Sequence, residues 1–553
     1  MAATSIVDWT QKFPVRTGLD QLGVRLASED QYTQLVDYTT TVTWHPRYYS
    51  FLAWATRSAF RLASGIKGVE RRTWQRTVRQ LDYLLAAATL AESPSVLAII
   101  GSDKLRGRIE RAAKEGGSVD IADDHVGDGS GTGSLEVYGG SMEALGLITQ
   151  TSGISGPTPL GERLADAFDR CVAACARDGT PDLANVTVLD IASLKTLARG
   201  CGIHQLGTTA GISPEVAAER DLLRDRIVDW SAFAQRPQVR WRVQSIAIVL
   251  ACHALMAGGQ TTRATFREAI LTGGVRGRGP LVMDPVFDEV LRYWRIYQAH
   301  AHLVFALESF LALGMQCLEK HLPRRIVRRS TLLSDLAALV VSGHAKVAAV
   351  ARGLETFSAE PLADVFHKLD PIVRNGWDVD AEPAIDLRLR AGRRNNGGFR
   401  EPAGAAHDAA LLLLLSLARL RSLGDEVKSG WISRAAPWRH TPATLLAHVD
   451  NALACRPTTA EYLRTVLDEL VLRQHTTNAY RKLTEQQGRS TALFHVDAFD
   501  LEFIAQHYPG TTNPRFDNAT SYLVDLGYLS GEPSTVSADG SALLDEITRR
   551  SVT

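Results

Sequence analysis

Basic side chains that could bind phosphate recur at four places along this sequence. Arginine forms bidentate hydrogen bonds to phosphate, and arginine and asparagine both suit base edges. The candidate nucleic-acid-binding residues are Arg47, Arg72, Arg76, Arg79, Arg108, Arg473, Arg515 and Asn518. Runs of this kind are also typical of a solvated helix face, so nucleic-acid contact and simple solvation stay open at each place.

Arg47 stands out because it lies among aromatic residues, between Trp44 and Trp54. An arginine in such a setting can stack on rings or hold a phosphate. The alternative is a buried salt bridge within an aromatic core. Aromatic stripes at helical spacing usually belong to a core, so the sequence favours the alternative.

A glycine-rich stretch at 116–133 holds acids that could serve a metal-dependent nuclease. Asp120, Asp123 and Asp124 are the candidates, and a magnesium site needs only one or two carboxylates. The spacing does not match a calcium-binding EF-hand loop. We expect a flexible acidic linker here and predict no metal site.

The motifs of several enzyme classes are missing from the sequence. The glycine-rich loop at 273–280 is not followed by Gly-Lys-Ser/Thr, so any ATPase activity must come from a partner. The spacing of Arg394 and His407 does not fit the Arg-x4-6-His motif of helical ribonucleases of the HEPN type. Six cysteines form no Cys-x-x-Cys pair, which favours reduced, buried thiols in a cytoplasm. We predict no cofactor and recognise no catalytic motif.

Composition places the chain among packed proteins with no overall affinity for nucleic acid. The 553 residues include 61 basic and 61 acidic side chains, so any nucleic-acid site must be a local patch. No signal peptide is visible at the N-terminus, and the apolar run at 409–415 is too short to span a bilayer. We expect a cytoplasmic protein.

The elements that must position these residues include a C-terminal stretch, 496–547, that reads as a winged helix. We expect a short helix at 499–504, a turn, and a second helix opened by Pro514 and stopped by Gly527. A polar wing and a last helix at 540–547 follow. The second helix would expose Arg515, Asn518 and Ser521 to a ligand. Helix packing or protein docking is the alternative.

Residues 135–168 repeat the same order of elements. A short helix ends in Leu-Gly-Leu-Ile at 145–148, a turn-rich tip follows, and Pro159 opens the next helix. Two occurrences in one chain support the winged-helix interpretation of each, without settling what either binds.

The remaining sequence predicts helices, the most apolar of which spans 284–321 and belongs in the centre of a bundle. Its buried acid, Glu308, is expected to pair with an arginine such as Arg292 or Arg295 of a neighbouring molecule, or with an arginine from another helix. The predicted fold class is mainly α, a multi-domain helical protein with one or two small winged-helix-like α+β units. The predicted regions are an N-terminal helical region at 1–115, a winged-helix-like unit with an acidic loop at 116–185, a central bundle at 186–425, and a helical hairpin plus winged-helix-like unit at 426–553.

Three stretches carry a resemblance to a known group of proteins. They are Thr-Val-Thr-Trp-His-Pro-Arg-Tyr-Tyr at 41–49, Tyr-Trp-Arg-Ile-Tyr-Gln at 293–298, and Asn-Pro-Arg-Phe-Asp-Asn at 513–518. Together they resemble large uncharacterised helical proteins of prokaryotic anti-phage defence islands. The resemblance implies a defence-system subunit that binds double-stranded DNA or scaffolds protein partners in a multi-subunit assembly beside a nuclease or ATPase. It carries over no catalytic residues. A metal-dependent nuclease and a purely structural subunit are the alternatives.

Overall fold

A computed structural model describes residues 20–552 except 41, 64–69, 122–132, 152, 176–182, 184–185, 208–210, 258, 322–325, 344–356, 375–380, 425–426, 428–439, 486–489, 511 and 532–533. The described chain is mainly helical with a few short strands, which confirms the mainly α fold class. The acids Asp123 and Asp124 lie outside the described residues.

The α-helices, in chain order, are α1 (Arg25–Leu35), α2 (Arg47–Ala63), α3 (Glu70–Glu92), α4 (Ser102–Glu115), α5 (Ser134–Ala144), α6 (Pro159–Cys175), α7 (Ile191–Cys201), α8 (Pro214–Val228), α9 (Trp230–Phe233), α10 (Pro237–Leu255), α11 (Arg263–Thr272), α12 (Asp288–Lys320), α13 (Arg329–Ser342), α14 (Leu362–Arg374), α15 (Glu382–Gly392), α16 (Pro402–Ser422), α17 (Pro442–Ala454), α18 (Thr459–Thr465), α19 (Gln474–Glu485), α20 (Phe516–Asp525) and α21 (Ala538–Val552). A π-helical turn, Val466–Arg473, joins α18 to α19. Short 3-10 helices are Ile203–Gly207, Pro285–Phe287 and Phe357–Ala359.

The strands are β1 (Ser118–Asp120), β2 (Ile148–Thr151), β3 (Ile154–Pro157), β4 (Val188–Asp190), β5 (Gly274–Val275), β6 (Gly279–Pro280), β7 (Ile326–Arg328), β8 (Phe494–Asp497), β9 (Asp500–Phe503), β10 (Leu529–Ser530) and β11 (Thr535–Val536). They form four two-stranded antiparallel pairs, β1–β4, β2–β3, β5–β6 and β10–β11, and one three-stranded antiparallel sheet in the order β7–β9–β8.

The chain divides into two compact units, each assembled from three stretches of sequence. Unit 1 comprises Met1–Thr33, Ala264–Val282 and Asp288–Pro514, and unit 2 comprises Gln34–Arg263, Met283–Phe287 and Arg515–Thr553. Each unit therefore combines segments that are distant in sequence. The four consecutive regions predicted from the sequence stay a prediction.

Unit 1 is built around two apolar helices, α12 and α16. They pack against each other, and α13, α14 and α15 pack against α16. Among the described residues, the stretches Pro285–Lys320 and Pro402–Ser422 are long and apolar enough to cross a membrane, and their most apolar windows are 100% and 89% buried inside the protein. A helix that is apolar all round and buried in this way is typical of a bundle core. The predicted central helix is therefore confirmed as α12.

The buried acid on α12 pairs with an arginine from another helix and with a histidine. The Glu308 carboxylate is fully buried and lies 3.2 Å from the Arg25 guanidinium and 2.5 Å from His507 Nε2. Arg25 begins α1, so the expected pairing with an arginine from another helix is confirmed, whereas His507 is a partner that was not expected. Periodicity shows that an acid lies on a buried face, whereas its partners here come from segments distant in sequence.

Unit 2 is built around α2, which is buried along most of its length and packs on α3 and α6. Its aromatic rings contact rings from three other helices. Tyr48 lies 4.6 Å from Tyr138 of α5, and Tyr49 lies 6.0 Å from Tyr522 of α20, both measured between ring centroids. Phe51 contacts α6 in the same way. The aromatic segment of the sequence is thus a core.

Unit 2 contains a helix–hairpin–helix segment made of α5, β2, β3 and α6. Gly146 follows α5 with φ of 65°, a backbone conformation that glycine adopts at little cost. The Thr158 hydroxyl donates to the Gly146 carbonyl at 2.7 Å and accepts from Gly161 N at 3.2 Å. A Cβ on Gly161 would lie 2.0 Å from the Leu147 carbonyl oxygen, so only glycine fits at this joint.

The segment made of α20, β10, β11 and α21 repeats this joint contact by contact. Gly527 has φ of 76°, and its carbonyl accepts from the Ser537 hydroxyl at 2.8 Å. Gly540 N donates to Ser537 Oγ at 3.0 Å, and a Cβ on Gly540 would lie 2.2 Å from the Tyr528 carbonyl oxygen. The sequence repeat therefore corresponds to a repeated backbone geometry.

Two details of the C-terminal stretch differ from expectation. The predicted short helix at 499–504 is wrong, because Asp500–Phe503 is strand β9, paired on both sides in the three-stranded sheet. The second helix begins at Phe516 and not at Pro514, since Arg515 has φ of 48° and cannot belong to the helix.

Candidate nucleic-acid interface

Arg47 is fully buried at the start of α2 and has no surface for a ligand. Its Nη2 lies 2.8 Å from Glu219 Oε2, and its Nη1 donates to the Gly202 carbonyl at 2.5 Å. Its remaining contacts include the Gly200 carbonyl. Arg47 and Glu219 therefore form a buried, structural ion pair. The hypothesis that Arg47 binds nucleic acid is corrected in favour of the alternative, a buried salt bridge within an aromatic core.

The C-terminal pair Arg515 and Asn518 also turns inward. Asn518 is fully buried and donates to the Thr43 carbonyl at 2.7 Å. Arg515 is half-buried and donates to the Thr39 carbonyl. Both side chains that were expected to be exposed at the start of α20 therefore bind backbone carbonyls of Thr39 and Thr43, and the expected base contact by Asn518 is corrected.

Four of the predicted arginines lie on α3 and α4 of unit 2. Arg72 and Arg76 are exposed, while Arg79 and Arg108 are half-buried. Arg72, Arg76 and Arg79 follow one another at four and three residues, which places them on one side of α3. Arg79 shares a pocket of about 270 Å³ with Asp82 and Asp103, and these acids offset its charge.

Arg473 lies in unit 1 at the rim of a pocket of about 540 Å³. Three of the elements that shape it are the three-stranded sheet, the start of α13 and the π-helical turn Val466–Arg473. The lining residues are Arg328, Arg329, Ser330, Leu333, Arg464, Asp468, Arg473, Ala498, Phe499 and Asp500. A π-helical turn is rare and is often found at a functional site.

The floor of this pocket is fixed by Asp468, which binds two arginines. Its carboxylate pairs with the guanidinium of Arg329 and, at 3.3 Å, with Nη2 of Arg473. The Arg329 backbone N donates to the Phe499 carbonyl at 2.8 Å, which ties the start of α13 to the β8–β9 turn. Asp468 therefore orients two guanidinium groups and links the π-helical turn to the start of α13.

The mouth of the pocket is basic and carries an exposed aromatic ring. Arg328, Arg464 and Arg473 are exposed, and within the described part of the chain Arg328 and Arg464 form no ion pair. Four arginines line the pocket against two aspartates, a surplus of two positive charges. Phe499 is 81% exposed at the β8–β9 turn, where Ala498 has φ of 50°.

This arrangement can bind a phosphodiester backbone and stack a base. Exposed guanidinium groups bind phosphate, and an exposed ring offers a platform for an unpaired base of any identity. Of the eight predicted residues, the pocket includes only Arg473. The structure brings it together with Arg328, Arg464 and Phe499, which the sequence analysis did not select.

The signals for these added residues are faint in the sequence. Arg328 and Arg329 are adjacent cations, and Phe499 is an aromatic residue flanked by Asp497 and Asp500. Neither pattern is unusual locally. These residues come together only because β7 pairs with β9, and the two strands are far apart in the sequence.

Of the three acids suggested for a metal-dependent nuclease, Asp120 lies within the described residues. Asp120 is exposed at the end of β1, paired with Val188 of β4, so this part of the predicted loop is a strand. Among the residues that the structure describes, no group of three or more His, Cys, Asp or Glu side chains is arranged to hold a metal ion.

Comparison with protein-family models, with curated proteins and with solved structures finds no match to this chain.

Proposed function

We propose that this chain is a DNA-binding subunit of a prokaryotic anti-phage defence assembly. In this proposal it acts in the cytoplasm beside a separate nuclease or ATPase, and it contacts DNA through the unit 1 pocket. The defence context rests on the resemblance of three sequence stretches, and the DNA contact rests on the pocket. The observation that carries the DNA contact is the exposed ring of Phe499 beside the exposed guanidinium groups of Arg328, Arg464 and Arg473.

The chemistry of the pocket favours DNA with unpaired bases over a duplex. A phenyl ring can stack on a base only where the base face is accessible, and in a duplex the neighbouring base pairs cover that face. The pocket offers cations without an array of amides aimed at base edges, so we expect binding that tolerates many sequences.

A second role, protein docking, is favoured by the two helix–hairpin–helix segments. Their element order is that of the winged helix, and we propose them as small winged-helix-like modules. In a DNA-reading winged helix, the helix before the wing must present polar or basic side chains. Here α5 exposes Glu136 and Glu143, and α20 buries Asn518. Acidic and buried faces favour protein packing over DNA reading.

The test is DNA binding by the full-length protein, measured by fluorescence anisotropy with single-stranded and duplex oligonucleotides at two salt concentrations. We expect single-stranded DNA to bind more tightly and to weaken steeply with salt. Replacing Arg328, Arg464 and Arg473 by alanine together should lower the slope of log K against log salt by about 2, since each phosphate contact contributes roughly 0.7.

Matched controls separate this site from other basic surfaces. Arg374→Ala removes a cation of unit 1 whose side chain is 71% exposed and pairs at helix spacing with Asp370, and it should leave the salt slope unchanged. Loss of binding in Arg72→Ala/Arg76→Ala, with the pocket variant unaffected, would move the site to α3. Absence of binding at low salt would overturn the DNA role and leave docking. DNA cleavage that needs magnesium would favour the nuclease alternative.

A further inference from the structure

Three of the six cysteines come together in unit 2, on helices that are separate in sequence. Cys171 and Cys175 lie on the last turns of α6, and Cys201 is the final residue of α7. The Cys175 and Cys201 side chains are hydrogen-bonded to each other. The Cys171 thiol instead donates to Glu219 Oε2 at 3.4 Å. Cys175 and Cys201 are therefore the two cysteines whose side chains contact each other, and Cys175 Sγ also lies 3.8 Å from the Leu197 carbonyl oxygen.

Gly200 makes this approach of α6 and α7 sterically feasible. A Cβ on Gly200 would lie 2.1 Å from Cys175 Sγ and 2.8 Å from the Cys171 carbonyl oxygen. Real Cβ atoms do not come so close to a neighbour, so the absence of a side chain admits the Cys175 thiol. The Gly200 carbonyl also accepts from the Arg47 guanidinium, which fixes the end of α7 against α2.

The surroundings make the two thiols chemically unequal. The hydrogen bond from Cys201, the Gly200 amide and the nearby charge of Arg47 together lower the pKa of Cys175 to about 7, although burial opposes this. The hydrogen bond to Cys175 and burial raise the pKa of Cys201 well above its ordinary value. Burial raises the pKa of Cys171 to about 12. Near neutral pH, Cys175 is the nucleophile and Cys201 is the thiol that donates to it.

Access also distinguishes the two sulfur atoms. Cys175 is half-buried and lines a pocket of about 320 Å³, whereas Cys201 is buried. The pocket wall is mostly apolar, formed by Val172, Leu183, Leu189 and Leu197 among others. A small uncharged molecule suits such a pocket, and of the two sulfur atoms only that of Cys175 belongs to a residue that lines it.

We propose that Cys175 and Cys201 form a peroxide-responsive dithiol that closes to a disulfide. The Cys175 thiolate attacks one oxygen of hydrogen peroxide, the O–O bond breaks, and the departing hydroxide takes a proton to become water. The Cys175 sulfenic acid is then attacked by the Cys201 sulfur, an S–S bond forms, and the second water leaves with the Cys201 proton. Two thiols are oxidised by two electrons, and one peroxide is reduced to two waters.

The disulfide would tie the last residue of α6 to the last residue of α7. These helices already pack against each other in the reduced protein. Oxidation therefore adds a covalent link within an existing interface, and reduction by a dithiol restores the starting state. Redox-sensing disulfides of this transient kind are the form expected in a reducing compartment.

The experiment treats full-length reduced protein with increasing hydrogen peroxide, blocks the remaining thiols with an alkylating reagent, and maps the peptides by mass spectrometry. We expect loss of two thiols together and a Cys175–Cys201 peptide pair at the lowest peroxide concentrations. In Cys201→Ser, a sulfenic-acid trap should label Cys175. In Cys175→Ser, Cys201 should remain a thiol.

Controls come from the other cysteines. Cys455 is exposed and Cys252 is buried, so Cys455→Ser should leave the disulfide yield unchanged and Cys252 should stay reduced throughout. Oxidation of Cys455 ahead of Cys175, or a Cys171–Cys175 disulfide in place of the expected pair, would overturn the proposal. The wild-type peptide map decides the matter even where a serine variant fails to fold.

Discussion

Phe499 exposes 81% of its surface at the turn of the β8–β9 hairpin, where a polar residue would be the ordinary choice. If the ring stacks on a base, Phe499→Ala should weaken single-stranded DNA binding by about 5- to 150-fold, because base–aromatic stacking is worth roughly 1–3 kcal/mol. The same change should barely affect duplex binding. Anisotropy titrations with the two DNA forms measure both effects.

Phe499→Trp is the matched control for this variant. It keeps an aromatic face at the same turn, so single-stranded binding should match or exceed that of the wild type. Equal losses in Phe499→Ala and Phe499→Trp would indicate that the turn's shape, and not the ring's face, determines binding.

Arg47 and Glu219 give a residue-scale prediction about stability. Glu219→Ala leaves the Arg47 guanidinium buried without its carboxylate, and we expect a loss of about 3–5 kcal/mol in the free energy of unfolding. The double replacement Arg47→Met/Glu219→Leu removes both charges and should cost less than Glu219→Ala alone. Urea denaturation compares the three proteins. A double variant less stable than Glu219→Ala would contradict this account.

Sequence patterns predicted the aromatic core around Arg47 better than they predicted which polar side chains are buried. Spacing alone identified the aromatic core around it, because ring periodicity is local. It could not determine that Asn518 is buried, since the residue that accepts its hydrogen bond is Thr43, which is far away in sequence. The local sequence pattern around a polar residue on a short helix is the same whether its side chain faces water or a backbone carbonyl group.

At the scale of elements, the repeated joint between hairpin and helix depends on one glycine in each copy. A Cβ at Gly161 or Gly540 would overlap a backbone carbonyl oxygen, which cannot move without displacing the hairpin. We expect Gly161→Ala and Gly540→Ala each to destabilise the protein by about 1–3 kcal/mol, the usual range for forced overpacking. Thermal unfolding followed by circular dichroism measures the effect.

Gly140 is the matched control for those two glycines. It lies inside α5, and no atom lies within 4 Å of the position that a Cβ would take, so Gly140→Ala adds helix propensity without a clash. We expect it to stabilise the protein by about 0.5–1 kcal/mol. A loss of stability in Gly140→Ala comparable to that in Gly161→Ala would show that the clash is not the cause.

The elements that sequence predicted well carry their own start signals. A serine followed by a proline predicts a helix start, and helix α8 begins at Pro214 with Ser213 as its N-cap, whose hydroxyl accepts from Val216 N at 3.3 Å. Strand β9 was mistaken for a helix because Phe499–Ile504 is short and has no such signal. Its state is decided by pairing with β7 and β8. Short apolar runs therefore depend on partners that local pattern does not reveal.

At the scale of the whole molecule, the interleaving of the two units is the feature furthest from sequence pattern. Unit 1 draws on three stretches, and the chain leaves and re-enters it around 264–288 without a long linker. Domain boundaries are read from linkers with a biased composition, and the glycine-rich stretches near these crossings, such as 273–280, are too short to be told from ordinary loops. The core helices were predictable because their composition is extreme, whereas the order in which the chain returns to each unit is set by long-range packing.

The buried histidines of unit 1 predict that acid destabilises it. Burial lowers the pKa of His300 to about 3 and of His302 and His475 to about 4, against an ordinary value of 6.5. The unfolded chain therefore binds more protons than the folded one, so stability present above pH 6.5 is lost as pH falls towards 4. Burial would raise the pKa of Glu308, but His507 and Arg25 lower it to about 2, which adds a further loss of stability only below pH 4.5.

We expect amide hydrogen exchange in α12, measured by mass spectrometry relative to an unstructured reference peptide, to show falling protection between pH 7 and pH 5. Glu308→Gln should retain that fall, because the histidines cause it. Protection that stays constant or rises over this range would contradict the assignment of neutral, buried histidines.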